Sequence, residues 1–249
     1  MATVMEAPRG ATQSPEPIVA LDFPDLSGAR RMVEALGDSC RFYKVGSELF
    51  TAAGPEVVSW LVRRGCDVFL DLKFHDIPAT MRGAARSAAA LGARLVTVHA
   101  SAGAAGVAAA VEGAGAGCGV LAVTVLTSFD AAGLASVWGR EGEEGPFEVE
   151  REVLRLSDLA AEAGAHGIVC SGAEAAAVRA RHGDRLAPLV PGIRLAGGAT
   201  HDQARVVTPA AAAAAGARYL VLGRAVTAAA DPRAAMQRVS ESLASTARG

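Results

Sequence analysis

The sequence lacks both a strong net charge and an apolar run long enough to cross a membrane. Its 24 Lys and Arg residues and 26 Asp and Glu residues give a formal net charge of −2. Such a chain has no basic field to attract nucleic acid or an anionic membrane. The Ala tract 210–215 is too short and too weakly hydrophobic to span a bilayer. We therefore expect neither nucleic acid nor a membrane as a partner.

The sequence also has few cysteines and no secretory signal. Its four cysteines, at 40, 66, 118 and 170, are far apart and lack the paired spacing of metal ligands. Residues 1–16 are rich in Ala, Pro, Thr, Ser and Glu and have no apolar core, so we predict a disordered N-terminal tail there. Reduced structural thiols and a cytoplasmic location are the matching expectations.

What the sequence does have is a regular alternation of short apolar runs with amphipathic helical segments. Its 249 residues, 51% of them hydrophobic, are enough for one domain with a large core. The alternation is typical of parallel strands joined by helices. It predicts a single-domain α/β protein over 17–249, a TIM (β/α)8 barrel, with an open doubly wound sheet as the alternative. The eight predicted strands are 18–21, 42–46, 67–72, 95–99, 119–126, 167–171, 187–191 and 218–223.

Polar side chains recur at or just after the ends of the predicted strands. Barrel enzymes carry their catalytic groups at the carboxyl ends of the strands, so this placement indicates an enzyme. The residues concerned are Asp22, Lys44, Asp71, Lys73, His99, Thr127, Ser171, Arg194 and Arg224.

The most informative segment is 71–80, which reads DLKFHDIPAT. Asp71 and Lys73 are two residues apart, so on a strand their side chains leave the same face, and Asp76 follows where the chain can bend back. A lysine flanked by carboxylates stays protonated, because nearby negative charge favours the cation. The alternative is a surface ion-pair cluster at a strand end.

Lys44, Asp71, Lys73 and Asp76 form an alternating set of cations and anions that could support three chemistries. A Schiff base needs a neutral Lys73, which flanking carboxylates oppose. A divalent metal on Asp71, Asp76 and Glu48 would be repelled by the two lysines. The third chemistry uses Lys73 as a fixed cation and proton donor beside a developing carbanion, which describes a decarboxylation without cofactor or metal.

A second group of residues predicts a phosphate site. Gly223 and Arg224 follow the eighth strand, where phosphate sites of this fold are often found. The loop after the seventh strand carries Arg194 and Gln203 around a Gly-rich stretch, which is typical of a lid.

Taken together, these motifs resemble the orotidine 5′-phosphate decarboxylases from about Ile18 to Pro232. The resemblance implies a barrel lyase that converts orotidine 5′-monophosphate to UMP and CO2, the last step of UMP biosynthesis. The matching motifs are Ala20-Leu21-Asp22, Lys44-Val45-Gly46, the segment 71–80, residues 123–128, Pro191-Gly192-Ile193-Arg194, Asp202-Gln203 and Gly223-Arg224.

The resemblance also implies residue roles. Lys73 would donate the proton, Asp71 would abut the substrate carboxylate, and Lys44 with Asp22 would contact the ribose. Thr127 would face the pyrimidine. Arg194, Gln203, Gly223 and Arg224 would hold the phosphate, and Asp76, Ile77 and Thr80 would reach the site of a neighbouring subunit, which implies a homodimer. Ala79 departs from the family, which often has Asn there.

Two other functions stay open at this point. A sister barrel enzyme such as 3-hexulose-6-phosphate synthase shares the Asp-x-Lys-x-x-Asp core but uses Mg²⁺. A catalytically silent barrel would bind a phosphate compound without turnover. The acidic stretch 141–144 carries no assigned function.

Overall fold

Eight parallel strands close into a barrel in the computed structural model, which describes residues 14–139, 148–195 and 207–246. Each strand pairs with the next, and the last pairs with the first through contacts such as Ile18 with Val221. This closure confirms the predicted TIM barrel and excludes the open sheet. The strands are β1 (Glu16–Ala20), β2 (Phe42–Gly46), β3 (Asp67–Phe74), β4 (Leu95–His99), β5 (Gly119–Val123), β6 (Gly167–Val169), β7 (Ala187–Val190) and β8 (Tyr219–Leu222).

Helices follow the strands on the outside of the barrel. Several begin at a proline, whose fixed φ and missing N–H suit the first helical position. Within the described ranges, no helix has the length and apolar character needed to cross a bilayer. The described helices are α1 (Leu26–Leu36), α2 (Ser47–Ala53), α3 (Pro55–Arg63), α4 (Pro78–Ala90), α5 (Gly103–Ala114), α6 (Ala131–Val137), α7 (Val149–Glu162), α8 (Ala175–His182), α9 (Pro209–Ala214), α10 (Arg224–Thr227) and α11 (Pro232–Thr246).

The period of two along each strand divides the core into two clusters. One cluster fills the barrel interior and includes Phe42, Phe69, Leu95 and Tyr219. The residues between them face outward and pack under the helices in a larger cluster. On β2 and β3 this alternation turns Lys44 and Asp71 to the same side as Phe42 and Phe69. Apolar side chains therefore fill the amino end of the barrel, and charged ones lie toward the carboxyl end.

Glu16, predicted from the sequence to belong to the tail, is the first residue of β1. Its carboxylate contacts the guanidinium of Arg94 at 2.8 Å and that of Arg218 at 2.5 Å. Arg94 also pairs with Asp67 at 2.8 Å. This network joins residues at the starts of β1, β3, β4 and β8, so the folded barrel includes Glu16. The rest of the predicted tail, residues 1–13, lies outside the described ranges, as does the acidic stretch 141–144.

Other differences from the sequence prediction are local. Strand β3 runs to Phe74, with a shift in its pairing to β4 between Leu70 and Phe74. Strand β5 ends at Val123, which leaves Thr127 in the following loop. Helices α2, α6 and α10 were not predicted, because four to seven residues are too few to show a helical period.

All four cysteines are buried and free of disulfides. Burial raises the pKa of the Cys40 and Cys118 thiols to about 11. Both thiols therefore stay protonated at neutral pH and pack as small apolar side chains.

Candidate active site

Two lysines and two aspartates meet inside the carboxyl end of the barrel. The Nζ atom of Lys44 lies 2.7 Å from Asp22 Oδ1 and 3.8 Å from Asp71 Oδ2. The Nζ atom of Lys73 lies 2.9 Å from each carboxylate oxygen of Asp71. Lys44 and Lys73 are the only lysines in the sequence. The structure therefore brings together four predicted site residues, with Asp71 contacting both ammonium groups.

Asp71 and Lys44 are largely removed from solvent. Their side chains are 13% and 11% exposed, whereas the Lys73 side chain, at 36%, remains accessible. Ion pairs that solvent reaches poorly are screened less by water and salt than surface pairs. The accessible Lys73 ammonium is therefore positioned to meet a bound molecule, while Lys44 and Asp71 form the less exposed side of the cluster.

Lys73 sits in an unusual backbone conformation. Its φ is +51°, and in the part of the chain that the structure describes no other residue except glycine has a positive φ. A non-glycine residue in the left-handed region costs about 1–3 kcal/mol and occurs mainly at functional sites. The strain coincides with the shift in β3–β4 pairing between Leu70 and Phe74. The contact between Lys73 and Asp71 therefore arises at a bulge rather than on a regular strand.

Thr97 on β4 contacts both members of this ion pair. Its Oγ1 accepts a hydrogen bond from the Lys73 N–H at 2.9 Å and donates one to Asp71 Oδ1 at 2.9 Å. The residue is fully buried. Thr97 was not among the site residues predicted from the sequence. The signal that could have found it is a polar residue between Leu95 and His99 on the inward face of a strand.

Gly46, the last residue of β2, lies against the cluster. A Cβ atom at this position would lie 2.9 Å from Lys44 Nζ and 3.3 Å from Asp22 Oδ1. Glycine is therefore the residue that leaves room for the Lys44 ammonium beside Asp22. Gly46 belongs to the motif Lys44-Val45-Gly46, but no role was predicted for it from the sequence.

The charged cluster lines one side of a cavity of about 160 Å³. Lys44, Asp71, Lys73 and the half-buried Thr127 supply its polar groups. The remaining lining is mainly apolar, as expected for a small-molecule site with a few placed polar groups. The apolar lining residues are Phe69, Val123, Val125, Leu126, Val169, Leu189, Pro191 and Val221.

Asp76, Ile77 and Thr80 lie on the surface. Asp76 Oδ1 accepts a hydrogen bond from the Ile77 N–H at 2.6 Å, and Ile77 is 66% exposed. Lys73 is thus paired with one aspartate of its own chain, Asp71, rather than flanked by two carboxylates as the sequence predicted. The reason is that β3 ends at Phe74 and the chain leaves the barrel mouth to begin α4 at Pro78.

The predicted phosphate residues are only partly described. Gly223 directly follows β8, and the exposed Arg224 is the first residue of α10. Arg194 follows β7, and its N–H donates to the Val207 carbonyl at 3.0 Å, which joins the two ends of the intervening segment. Gln203 and the rest of the predicted lid over 196–206 lie outside the described residues.

His99 lies beside the cluster, and its ring centroid is 5.6 Å from that of His75. Burial lowers the pKa of His99, and the neighbouring His75 and Lys73 lower it further against the opposing effect of Asp71. His99 is therefore neutral at pH 7 and adds no third cation to the site.

The donor set fits a divalent metal poorly. Both oxygens of Asp71 contact the Lys73 ammonium, and Lys44 lies between Asp71 and Asp22. A divalent cation here would meet two ammonium groups. Over residues 14–139, 148–195 and 207–246, no three His, Cys, Asp or Glu side chains are grouped so that they could hold a metal ion.

A closed parallel barrel with a charged cavity at the carboxyl ends of its strands defines an enzyme of the (β/α)8-barrel class. Residues 15–239 match the sequence profile described as the orotidine 5′-phosphate decarboxylase / HUMPS family, and the chain belongs to that family. This confirms the resemblance inferred from the motifs.

Similar proteins cover nearly the whole chain. A relative from Anaeromyxobacter dehalogenans named orotidine 5′-phosphate decarboxylase is 54% identical over 224 residues, which are 90% of this chain and 96% of the relative. One of the same name from Thermobifida fusca is 50% identical over 230 residues, 92% of this chain and 95% of the relative. The crystal structure of orotidine 5′-phosphate decarboxylase from Lactobacillus acidophilus matches with a TM-score of 0.80 at 34% identity, covering 93% of this chain and 99% of that one.

Proposed function

We propose that this chain decarboxylates orotidine 5′-monophosphate to UMP and CO2 without a cofactor, as a homodimer in the cytoplasm. Family membership and relatives about half identical over most of the chain support this activity. The observation that carries it is the Lys73 ammonium held 2.9 Å from both oxygens of Asp71 at the cavity. That pair combines a proton donor with a fixed negative charge, which are the two groups this reaction uses.

The first step of the proposed mechanism rests on Asp71. The substrate carboxylate would lie against the Asp71 carboxylate, so two like charges would be close in a site with little solvent. Lys44, Lys73 and Thr97 all contact Asp71 and hold its carboxylate in place. The repulsion disappears as the substrate carboxylate becomes neutral CO2. Asp71 therefore favours the transition state over the bound substrate.

The second step rests on Lys73. When the bond between C6 of the pyrimidine and the carboxylate breaks, its electron pair stays on C6. The ammonium stabilises that charge and transfers a proton from Nζ to C6, which completes UMP. The neutral amine then regains a proton from solvent, which the 36% exposure of the side chain permits.

The other predicted residues would bind the rest of the substrate. Asp22 and Lys44 would contact the ribose, and Thr127 would face the pyrimidine. The phosphate would be held by Arg194, Gln203, Gly223 and Arg224. The exposed Asp76, Ile77 and Thr80 would reach the site of the neighbouring subunit.

The family description also includes HUMPS proteins, so a sugar-phosphate reaction that requires Mg²⁺ is the competing function. The contacts of Asp71 favour the decarboxylase. Its carboxylate is engaged by Lys73 on both oxygens, so a magnesium ion would have to displace an ammonium group.

The test is turnover of orotidine 5′-monophosphate by purified, metal-stripped protein, followed by its loss of absorbance. We expect full activity in EDTA. Complete loss in EDTA with recovery on adding Mg²⁺ would contradict the proposal and favour the sugar-phosphate reaction.

Replacing Arg224 with alanine tests the phosphate assignment. A charge-assisted hydrogen bond contributes about 1.5–3 kcal/mol, so we expect KM to rise about 10- to 100-fold with a smaller fall in kcat. Steady-state kinetics measure both constants. The control is Arg238→Ala, which removes an exposed guanidinium on α11 and should change neither constant. An unchanged KM in Arg224→Ala would remove Arg224 from the phosphate site.

A further inference from the structure

We propose that Thr97 is a positioning residue whose single hydroxyl fixes Asp71 and Lys73 relative to each other. The inference rests on the proposed decarboxylation and goes beyond it, because Thr97 does not line the cavity. It acts through two residues that do. The claim is that the hydroxyl, and not merely the shape of the side chain, supports the rate of the chemical step.

The hydrogen-bond roles at Thr97 follow from its partners. A threonine hydroxyl has one hydrogen to donate and two lone pairs that can accept. The Lys73 N–H can only donate, so Oγ1 accepts from it at 2.9 Å. The hydroxyl hydrogen is left for Asp71 Oδ1, also at 2.9 Å, and an ionised carboxylate can only accept. The two bonds are therefore compatible with each other and use the hydroxyl fully.

The bond to Lys73 replaces a missing bond of the sheet. The pairing of β3 with β4 is interrupted between Leu70 and Phe74, the stretch that contains Lys73. The Lys73 N–H is partly buried, where leaving it without a partner is costly, and the Thr97 hydroxyl is its partner. The same bond holds the strained backbone of Lys73, whose φ is +51°.

The bond to Asp71 fixes the other member of the ion pair. Thr97 is fully buried on β4, whose backbone pairs with β5 on its other side through Thr97 and Leu121. A β-branched side chain on a paired strand has little freedom at χ1. One rigid hydroxyl thus sets the carboxylate of Asp71 and the backbone of Lys73 at once. The carboxylate and the backbone that carries the proton donor are then held in place before substrate binds.

The experiment compares Thr97→Val with Thr97→Ser. Valine keeps the shape and removes the hydroxyl, whereas serine keeps the hydroxyl. We expect kcat to fall about 10- to 100-fold in Thr97→Val, the range for losing a hydrogen bond to a charged group. We expect Thr97→Ser to stay within about threefold of wild type, since it adds only rotamer freedom.

Thr124→Val is the matched control. Thr124 is also buried at the barrel and donates from Oγ1 to the Val169 carbonyl at 2.8 Å, but it forms no hydrogen bond with Lys44, Asp71 or Lys73. Thr124→Val therefore removes the same hydroxyl group from a side chain that is buried to a similar extent. We expect a lower melting temperature in this variant, with kcat unchanged.

UMP affinity separates positioning from general damage to the site. We expect Thr97→Val to bind UMP within about threefold of wild type, because the proposed phosphate residues follow β7 and β8 and not β4. A normal kcat in Thr97→Val would overturn the inference, and so would a loss of UMP affinity as large as the loss of kcat. An equal fall of kcat in Thr97→Ser would also overturn it. If the wild-type protein itself fails to decarboxylate orotidine 5′-monophosphate, the proposed function is refuted, and the role of Thr97 in that reaction is refuted with it.

Discussion

Replacing Lys73 with alanine is expected to lower kcat for decarboxylation by at least about 10⁴-fold, because the change removes a proton donor and a stabilising cation together. UMP should still bind, since the proposed phosphate residues follow β7 and β8 in the chain and are separate from Lys73 on β3. Single-turnover kinetics and UMP titration measure the two effects separately.

Lys73→Arg serves as the control for charge alone. Arginine keeps the positive charge beside Asp71 but does not give up a proton at neutral pH. We expect this variant to remain far below wild type. Near-normal turnover in Lys73→Ala would refute the role assigned to the lysine, and near-normal turnover in Lys73→Arg would refute proton donation by it.

Asp71→Asn is expected to lower kcat about 10²- to 10³-fold, the usual effect of removing one preorganised electrostatic group. Asparagine has nearly the same shape, so the change isolates the charge. The two ammonium groups that contact Asp71, Lys44 and Lys73, would lose their shared anion, and the substrate carboxylate would no longer be repelled.

The same strand provides the comparison for this variant. Asp67 begins β3 at the amino end of the barrel and pairs with Arg94 there. Asp67→Asn should leave kcat unchanged and lower the melting temperature slightly. The electrostatic role of Asp71 would be untenable if kcat in Asp71→Asn fell less than about tenfold, below the range for such groups.

The barrel and most of the site could be predicted because they depend on local sequence periods. Alternation of apolar runs with helical segments predicted eight strand–helix units, and strand ends predicted where Asp22, Lys44 and Asp71 would meet. The contact of Lys73 with Asp71 was also predicted, although its cause was not. On a regular strand the two side chains share a face, whereas in the structure a left-handed residue at a bulge brings them together.

The remaining features depend on how distant strands align. Thr97 is 24 residues from Lys73, and its contact exists only because β3 and β4 lose their register beside it. Gly46 is needed because the Lys44 ammonium lies next to it, and the spacing of residues along the sequence does not reveal this contact. The surface position of Asp76 follows from the end of β3 at Phe74, two residues beyond the predicted end.

The placement of both lysines in one cluster makes the chain unusually simple to label. Selective nitrogen-15 labelling of lysine would give two side-chain amine signals, one from Lys44 and one from Lys73. The 2.7 Å contact of Lys44 with Asp22 and the greater exposure of Lys73 place the two amines in different surroundings. Two resolved resonances would then report the ionisation of the cavity directly, without interference from lysines elsewhere in the sequence.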